Sequence, residues 1–115
     1  LYKPRKLLER NIEGPVVDYA KKHAGMLIRK MNGLGVMGWP DRMFMYNGNV
    51  MFIEFKRPGG KVTEVQQKMH ERIMSAGFRV WVVDDKQVGK SLIDKLVEGD
   101  SCVFHGSHTS SKRLQ

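Results

Sequence analysis

The sequence predicts an α/β domain, a small mixed β-sheet flanked by helices in the order α-β-β-β-α-β-α. Three observations predict it. Asn47-Gly48 sits between two apolar, β-prone runs, the strongest short-range signal for a hairpin with a two-residue type I′ turn. Helical periodicity recurs on both sides of that hairpin. A compact apolar run, Phe78 to Val83, follows the second helix, so a crossover should bring it parallel to the strand ending near Lys56.

The elements follow in order. Residues 7–24 read as a helix, because Leu8, Ile12, Val16 and Ala20 recur at four-residue spacing. Pro15 should kink it or cap a short first turn, and Gly25 can end it. Residues 26–31 form a strand. Residues 32–38, Asn-Gly-Leu-Gly-Val-Met-Gly, form a glycine-rich loop able to approach a ligand closely. The hairpin strands span 41–46 and 49–56, and Pro58-Gly59-Gly60 breaks the second. Thr63-x-x-Gln66 fits a capping box opening a helix that ends before Gly77, with Val65, Met69 and Ile73 on one face. Residues 78–83 form a buried strand. Residues 86–98 form a helix through Val88, Leu92 and Leu96. The organisation expected is one domain over residues 1–100 and a polar tail over 101–115.

The chain has 115 residues and a net charge of +8. That length suits one hydrophobic core. Residues 1–40 hold eight Lys or Arg against three acids, a net of +5. This asymmetry fits an anionic partner, nucleic acid being the commonest, and equally a basic surface that merely aids solubility, so the decision rests on the site. No apolar run approaches the roughly 20 residues that span a bilayer, so no membrane partner is expected, and the basic start lacks the apolar run of a signal peptide. Cys102 is the one cysteine. It excludes an internal disulfide and points to a reducing, intracellular compartment. His105 and His108 lack cysteine partners for a zinc site. The eight methionines read as core filler. Trp39 and Trp81 read as packed.

The hairpin carries the chemistry. Counting outward from a two-residue turn, Tyr46 faces Asn49, Met45 faces Val50, and Asp41 faces Glu54. Directly opposed residues share a face, with Cβ atoms roughly 4.5–5.5 Å apart. Two carboxylates there repel, and a divalent cation between them reverses the sign. Lys56 lies two residues beyond Glu54 and points to the same face. The pattern therefore predicts a hard-metal site of Asp41 and Glu54 beside an ammonium.

Asp41-x12-Glu54-x-Lys56 resembles the PD-(D/E)xK nuclease signature. The wider set is Gly38-x-Pro40-Asp41, then Glu54-Phe55-Lys56-Arg57-Pro58-Gly59-Gly60-Lys61, Gln66, and Gly77-Phe78-x-Val80-x-Val82-Val83. It resembles the VRR-NUC family of virus-type replication and repair nucleases over about residues 8–98. The resemblance implies a restriction-endonuclease-like core, hydrolysis of phosphodiester bonds in DNA, and Mg²⁺ or Mn²⁺ as cofactor. It implies Asp41, Glu54 and the Phe55 carbonyl as metal ligands, with a glutamate from the first helix nearby, Glu9 in preference to Glu13. Lys56 would orient the attacking water or stabilise the phosphate. Gln66 has two readings, a side chain reaching the active site, as in the family, or the cap of its own helix; the former is favoured. Stand-alone relatives pair two sites, which implies a homodimer acting on branched DNA such as a four-way (Holliday) junction, in repair or viral replication.

Arg29, Lys30, Arg42, Arg57 and Lys61 flank the predicted site, and Lys3, Arg5 and Lys6 form a basic arm. Such residues contact phosphate and carry affinity rather than sequence information. Two other classes stand beside this reading. A non-catalytic nucleic-acid binding module would have lost Asp41, Glu54 or Lys56, and none is lost. A metal-independent RNA endonuclease would need a His/Tyr/Lys set. Tyr46, His70 and Lys56 exist, but His70 falls in mid-helix.

Overall fold

The computed structural model of the chain describes residues 5–33, 35 and 37–106. Lys3 and His108 lie outside them. The element order is α1 (Arg5–Lys21), β1 (Leu27–Lys30), β2 (Arg42–Tyr46), β3 (Asn49–Phe55), α2 (Glu64–Ser75), β4 (Arg79–Val83) and α3 (Lys86–Glu98), closed by a 3₁₀ turn at Ser101–Val103. This is the predicted α-β-β-β-α-β-α order. The four strands lie in the order β1-β2-β3-β4. The first two pairings are antiparallel and β3 pairs β4 in parallel. The sheet is therefore mixed, with α2 as the crossover.

The hairpin follows its turn chemistry. Asn47 and Gly48 take φ of 49° and 85°, both positive as a type I′ turn requires. The register runs from Tyr46↔Asn49 to Arg42↔Ile53. One further step places Asp41 beside Glu54, as the count predicts.

Strand periodicity sorts β3 onto two faces. Met51, Ile53 and Phe55 enter one core cluster with Ile12 and Val16 of α1 and Leu92, Ile93 and Leu96 of α3. Phe52 enters a second cluster with Ile73 of α2, Val80 and the flanking Trp39 and Met69. The helices α1 and α3 thus cover one face and α2 the other. Glu54 and Lys56, in step with Phe52, fall on the α2 face. That alternation fixes which helix meets the site.

Several expectations are corrected. α1 runs unbroken through Pro15. Gly14 precedes the proline and has no Cβ to clash with its ring, and Ile12, Val16, Val17 and Ala20 are all buried around it. Val88 is 51 % exposed rather than part of the α3 core face. That face is Gly89, Leu92, Ile93 and Leu96. It is built on a glycine because α3 approaches α1 closely: a Cβ at Gly89 would stand 2.5 Å from Val16 Cγ2. Val65 is exposed in the first turn of α2, and Phe78 and Val82 are exposed at the edge of the sheet, so residues 78–83 are only partly buried. Residues 101–106 do not behave as tail. Val103 and Phe104 are buried, Trp81 Nε1 donates to the Val103 carbonyl at 3.0 Å, and His105 bridges to Phe78. Among the described residues, no helix is long and apolar enough to cross a membrane.

Candidate active site

Asp41 precedes β2 at the open end of the hairpin. Its Oδ2 accepts from the Phe55 backbone N–H at 2.7 Å, and its Oδ1 accepts from Asn32 Nδ2 at 2.8 Å. The first bond ties the carboxylate to β3 one residue past Glu54. The second ties it to the start of the glycine-rich loop. Burial, then the charge of Glu54, pushes the Asp41 carboxyl up to about 7. The Phe55 N–H opposes that rise, while Glu13 and Glu9 add to it. The like charge of Glu54 disfavours the ionised form of Asp41, as their opposed positions require.

Glu54 is almost wholly buried. Its Oε2 accepts from Gln66 Nε2 at 3.1 Å and lies 3.6 Å from Lys56 Nζ. Its Oε1 is buried with no hydrogen-bond partner. Lys56, also buried, donates from Nζ to Gln66 Oε1 at 2.9 Å. Gln66 therefore touches both members of the Glu-x-Lys pair.

The same glutamine also caps its helix. Gln66 Oε1 accepts from the Thr63 N–H at 3.0 Å, and the Gln66 N–H donates to Thr63 Oγ1 at 3.2 Å. The sequence reading set these roles against each other, and the structure combines them. A carbonyl oxygen has two lone pairs: one serves the capping box and the other serves Lys56, while the amide NH₂ remains for Glu54. The cap thereby fixes the glutamine that bridges Glu54 and Lys56.

His70 was set aside in sequence as a mid-helix residue. It is buried, and its Nε2 lies 3.6 Å from Glu54 Oε1. The overlooked signal was the four-residue spacing from Gln66, which places both side chains on one face of α2. Tyr46 lies at the opposite end of β2 from Asp41, so the His/Tyr/Lys set of an RNA endonuclease does not assemble.

Glu13 Oε2 accepts from Arg42 Nε at 2.6 Å, a partly buried ion pair. Arg42 is thus committed to α1 rather than free on the rim. Glu9 lines a cleft of about 520 Å³ together with Lys56, Arg57, Gly60 and Lys61. A second cleft, about 660 Å³, opens on the Asp41 side between the glycine-rich loop and α2, walled by Met37, Trp39 and Gln66. Gly38 makes that closeness possible, since a Cβ there would meet the Val65 carbonyl at 2.7 Å. Trp39 packs on Phe52 at 6.3 Å between ring centroids. Arg29 and Lys30 are exposed on the edge strand β1. Arg5 and Lys6 lie in the first turn of α1.

The donor chemistry suits a hard divalent cation. Glu54 presents an unpaired buried oxygen, and Asp41 is held back from ionising by burial first and by a neighbour of like charge second. Among the described residues, no three His, Cys, Asp or Glu side chains form a metal cage. Two carboxylates are the number Mg²⁺ commonly takes from a protein, with water and phosphate completing its shell.

An acid pair, a lysine two residues on and a helix glutamine over a mixed sheet define a PD-(D/E)xK nuclease. Comparison with known proteins narrows this. No protein-family model matches the chain. A protein of Acyrthosiphon pisum secondary endosymbiont phage 1, named "Putative nuclease p44", is 34% identical over 83 residues, covering 65% of this chain and 89% of that one. A solved structure titled "VRR_NUC domain" superposes with a TM-score of 0.66 at 27% identity, covering 76% of this chain and 95% of that chain. The chain belongs to the VRR-NUC family of nucleases.

Proposed function

We propose that this nuclease is a divalent-metal-dependent DNA endonuclease that cuts branched DNA, such as a four-way junction, as a homodimer. The observation that carries metal dependence is the adjacent carboxylates, with Glu54 Oε1 buried and without a hydrogen-bond partner and the Asp41 carboxyl pushed up to about 7. Asp41, Glu54 and the Phe55 carbonyl would hold Mg²⁺ or Mn²⁺. Glu9 is the candidate from the first helix, because Glu13 is engaged by Arg42. When bound, such an ion stabilises charge at the phosphoryl group and lowers the pKa of the water it carries.

The chain's own side chains supply the rest. Gln66 holds Lys56 Nζ at 2.9 Å. This restrains the ammonium at the cleft, where it can stabilise charge developing on the phosphate. Arg57 and Lys61 line that cleft and suit the neighbouring phosphates. Arg29 and Lys30 extend the basic surface along β1. The net charge of +8 favours nucleic acid without selecting its sequence. Selectivity for a branch would come from the distance and angle between two identical sites, which two-fold symmetry supplies.

The test uses labelled duplex, flap, splayed-arm and four-way DNA with Mg²⁺, Mn²⁺ or EDTA. Preferred cutting of the four-way substrate in either metal, and none in EDTA, supports the proposal. A monomer by sedimentation that prefers single flaps removes the junction and dimer parts and leaves the nuclease intact.

A further inference from the structure

We propose that His70 is a positioning residue which, together with Gln66, clamps the two oxygens of Glu54. The inference rests on the metal-site reading above. Gln66 and His70 are four residues apart on α2 and share the helix face turned toward β3. Gln66 Nε2 holds Glu54 Oε2 at 3.1 Å. His70 Nε2 faces the other oxygen, Oε1, at 3.6 Å. Both Oε1 and Nε2 are buried and neither has another partner.

A separation of 3.6 Å is longer than a hydrogen bond, so this half of the clamp is poised rather than closed. Two buried polar atoms left unpaired are costly, and each is the other's nearest remedy. The terminal torsion of a glutamate is broad, so a small rotation of the carboxylate closes the contact. With one oxygen held by an amide and the other by an imidazole N–H, the plane of the carboxylate is fixed. Each oxygen keeps a further lone pair, so the clamp orients Glu54 without exhausting it as a ligand. His70 is 3 % exposed. It is placed to act through Glu54 and not on DNA.

Calorimetric titration of metal-free protein with Mn²⁺ tests this. His70→Met removes the N–H at similar size, and His70→Gln restores one near Nε2. His70→Met should weaken Mn²⁺ binding by about 10–100-fold, the scale for partners that orient a metal ligand. His70→Gln should recover most of that loss, with urea midpoints confirming that both variants fold. Equal Mn²⁺ affinity in His70→Met and wild type overturns the proposal, as does a His70→Gln variant no better than His70→Met. A measurement on the unaltered protein covers the case in which His70→Met does not fold. Imidazole ¹H–¹⁵N spectra with Mg²⁺ should show His70 protonated at Nε2, and a proton carried on Nδ1 alone overturns the proposal. If wild type itself binds no Mn²⁺, the metal-site reading fails and takes the clamp with it. If wild type binds and His70→Met binds equally well, only the clamp fails.

Discussion

Replacing Asp41 with asparagine should stabilise the metal-free protein at alkaline pH. Asp41 has a folded-state pKa of about 7 against an ordinary value of 3.8. An acid whose pKa rises on folding contributes stability that is complete below about 3.8. That contribution is lost as pH climbs through about 7. At pH 8 without metal the loss is complete. At roughly 1.4 kcal/mol per pKa unit, a rise of about three units sets a ceiling near 4 kcal/mol. The asparagine side chain removes the charge yet keeps an acceptor for the Phe55 N–H, although a neutral acceptor holds that bond more weakly, by about 1 kcal/mol. Residual solvent at the partly exposed Asp41 screens the rest. The net gain expected is on the order of 1–2 kcal/mol, at roughly 4–8 °C in Tm for each kcal/mol in a domain of this size. Urea denaturation in EDTA at pH 8 and pH 4 measures it. Asp41→Asn should be the more stable protein at pH 8, and the advantage should disappear at pH 4. An asparagine variant less stable than wild type at pH 8, or equally advantaged at both pH values, would refute the claim that burial and the charge of Glu54 hold Asp41 back from ionising.

Three further predictions follow from the geometry. Lys56→Ala should cut the single-turnover rate by roughly 10² or more, the scale for losing a key electrostatic stabiliser. Its DNA affinity in Ca²⁺ should fall far less; an affinity loss equal to the rate loss would make Lys56 a phosphate contact only. Thr63→Ala and Gln66→Ala should separate the two roles of the cap. Both should lose about 1 kcal/mol of stability, but only Gln66→Ala, which also releases Glu54 and Lys56, should lose activity beyond a few-fold. Gly89→Ala should destabilise by about 1–3 kcal/mol through overpacking against Val16. A double-mutant cycle with Val16→Ala should recover part of that loss, and strict additivity would contradict the close approach of α1 and α3.

Much of this arrangement was legible in the chain because local rules fixed it. Asn47-Gly48 sets a turn type, the turn type sets the register, and the register brings Asp41 to Glu54 by counting. The bounds of α3 were read from the spacing of Val88, Leu92 and Leu96, and the structure adds the caps that set them: the Asp85 side chain on the Gln87 and Val88 N–H groups, and Gly99 in the left-handed conformation. The parts that were missed depend on which face meets which. Periodicity put Val88 in the core, but the close contact with Val16 needs a glycine, one residue on. Gln66 looked obliged to choose between cap and site, because sequence does not show that one oxygen receives donors from both. His70 needed the knowledge that α2 lies over the Glu54 face of β3. The Glu13–Arg42 pair needed the distance from α1 to β2. In the segment after α3, Val103 and Phe104 were an apolar pair amid polar residues, and that was the available sign that the chain packs onward to residue 106.

The central claim is that Asp41 and Glu54 hold a divalent cation at which phosphodiester bonds are cut. Cleavage of labelled DNA by wild type and by Glu54→Ala, each with Mg²⁺, Mn²⁺ or EDTA, tests it most directly. The account predicts cutting by wild type in Mg²⁺ or Mn²⁺, none in EDTA, and none by a folded Glu54→Ala variant in any condition. Undiminished cutting in EDTA, or by Glu54→Ala free of wild-type protein, would contradict it.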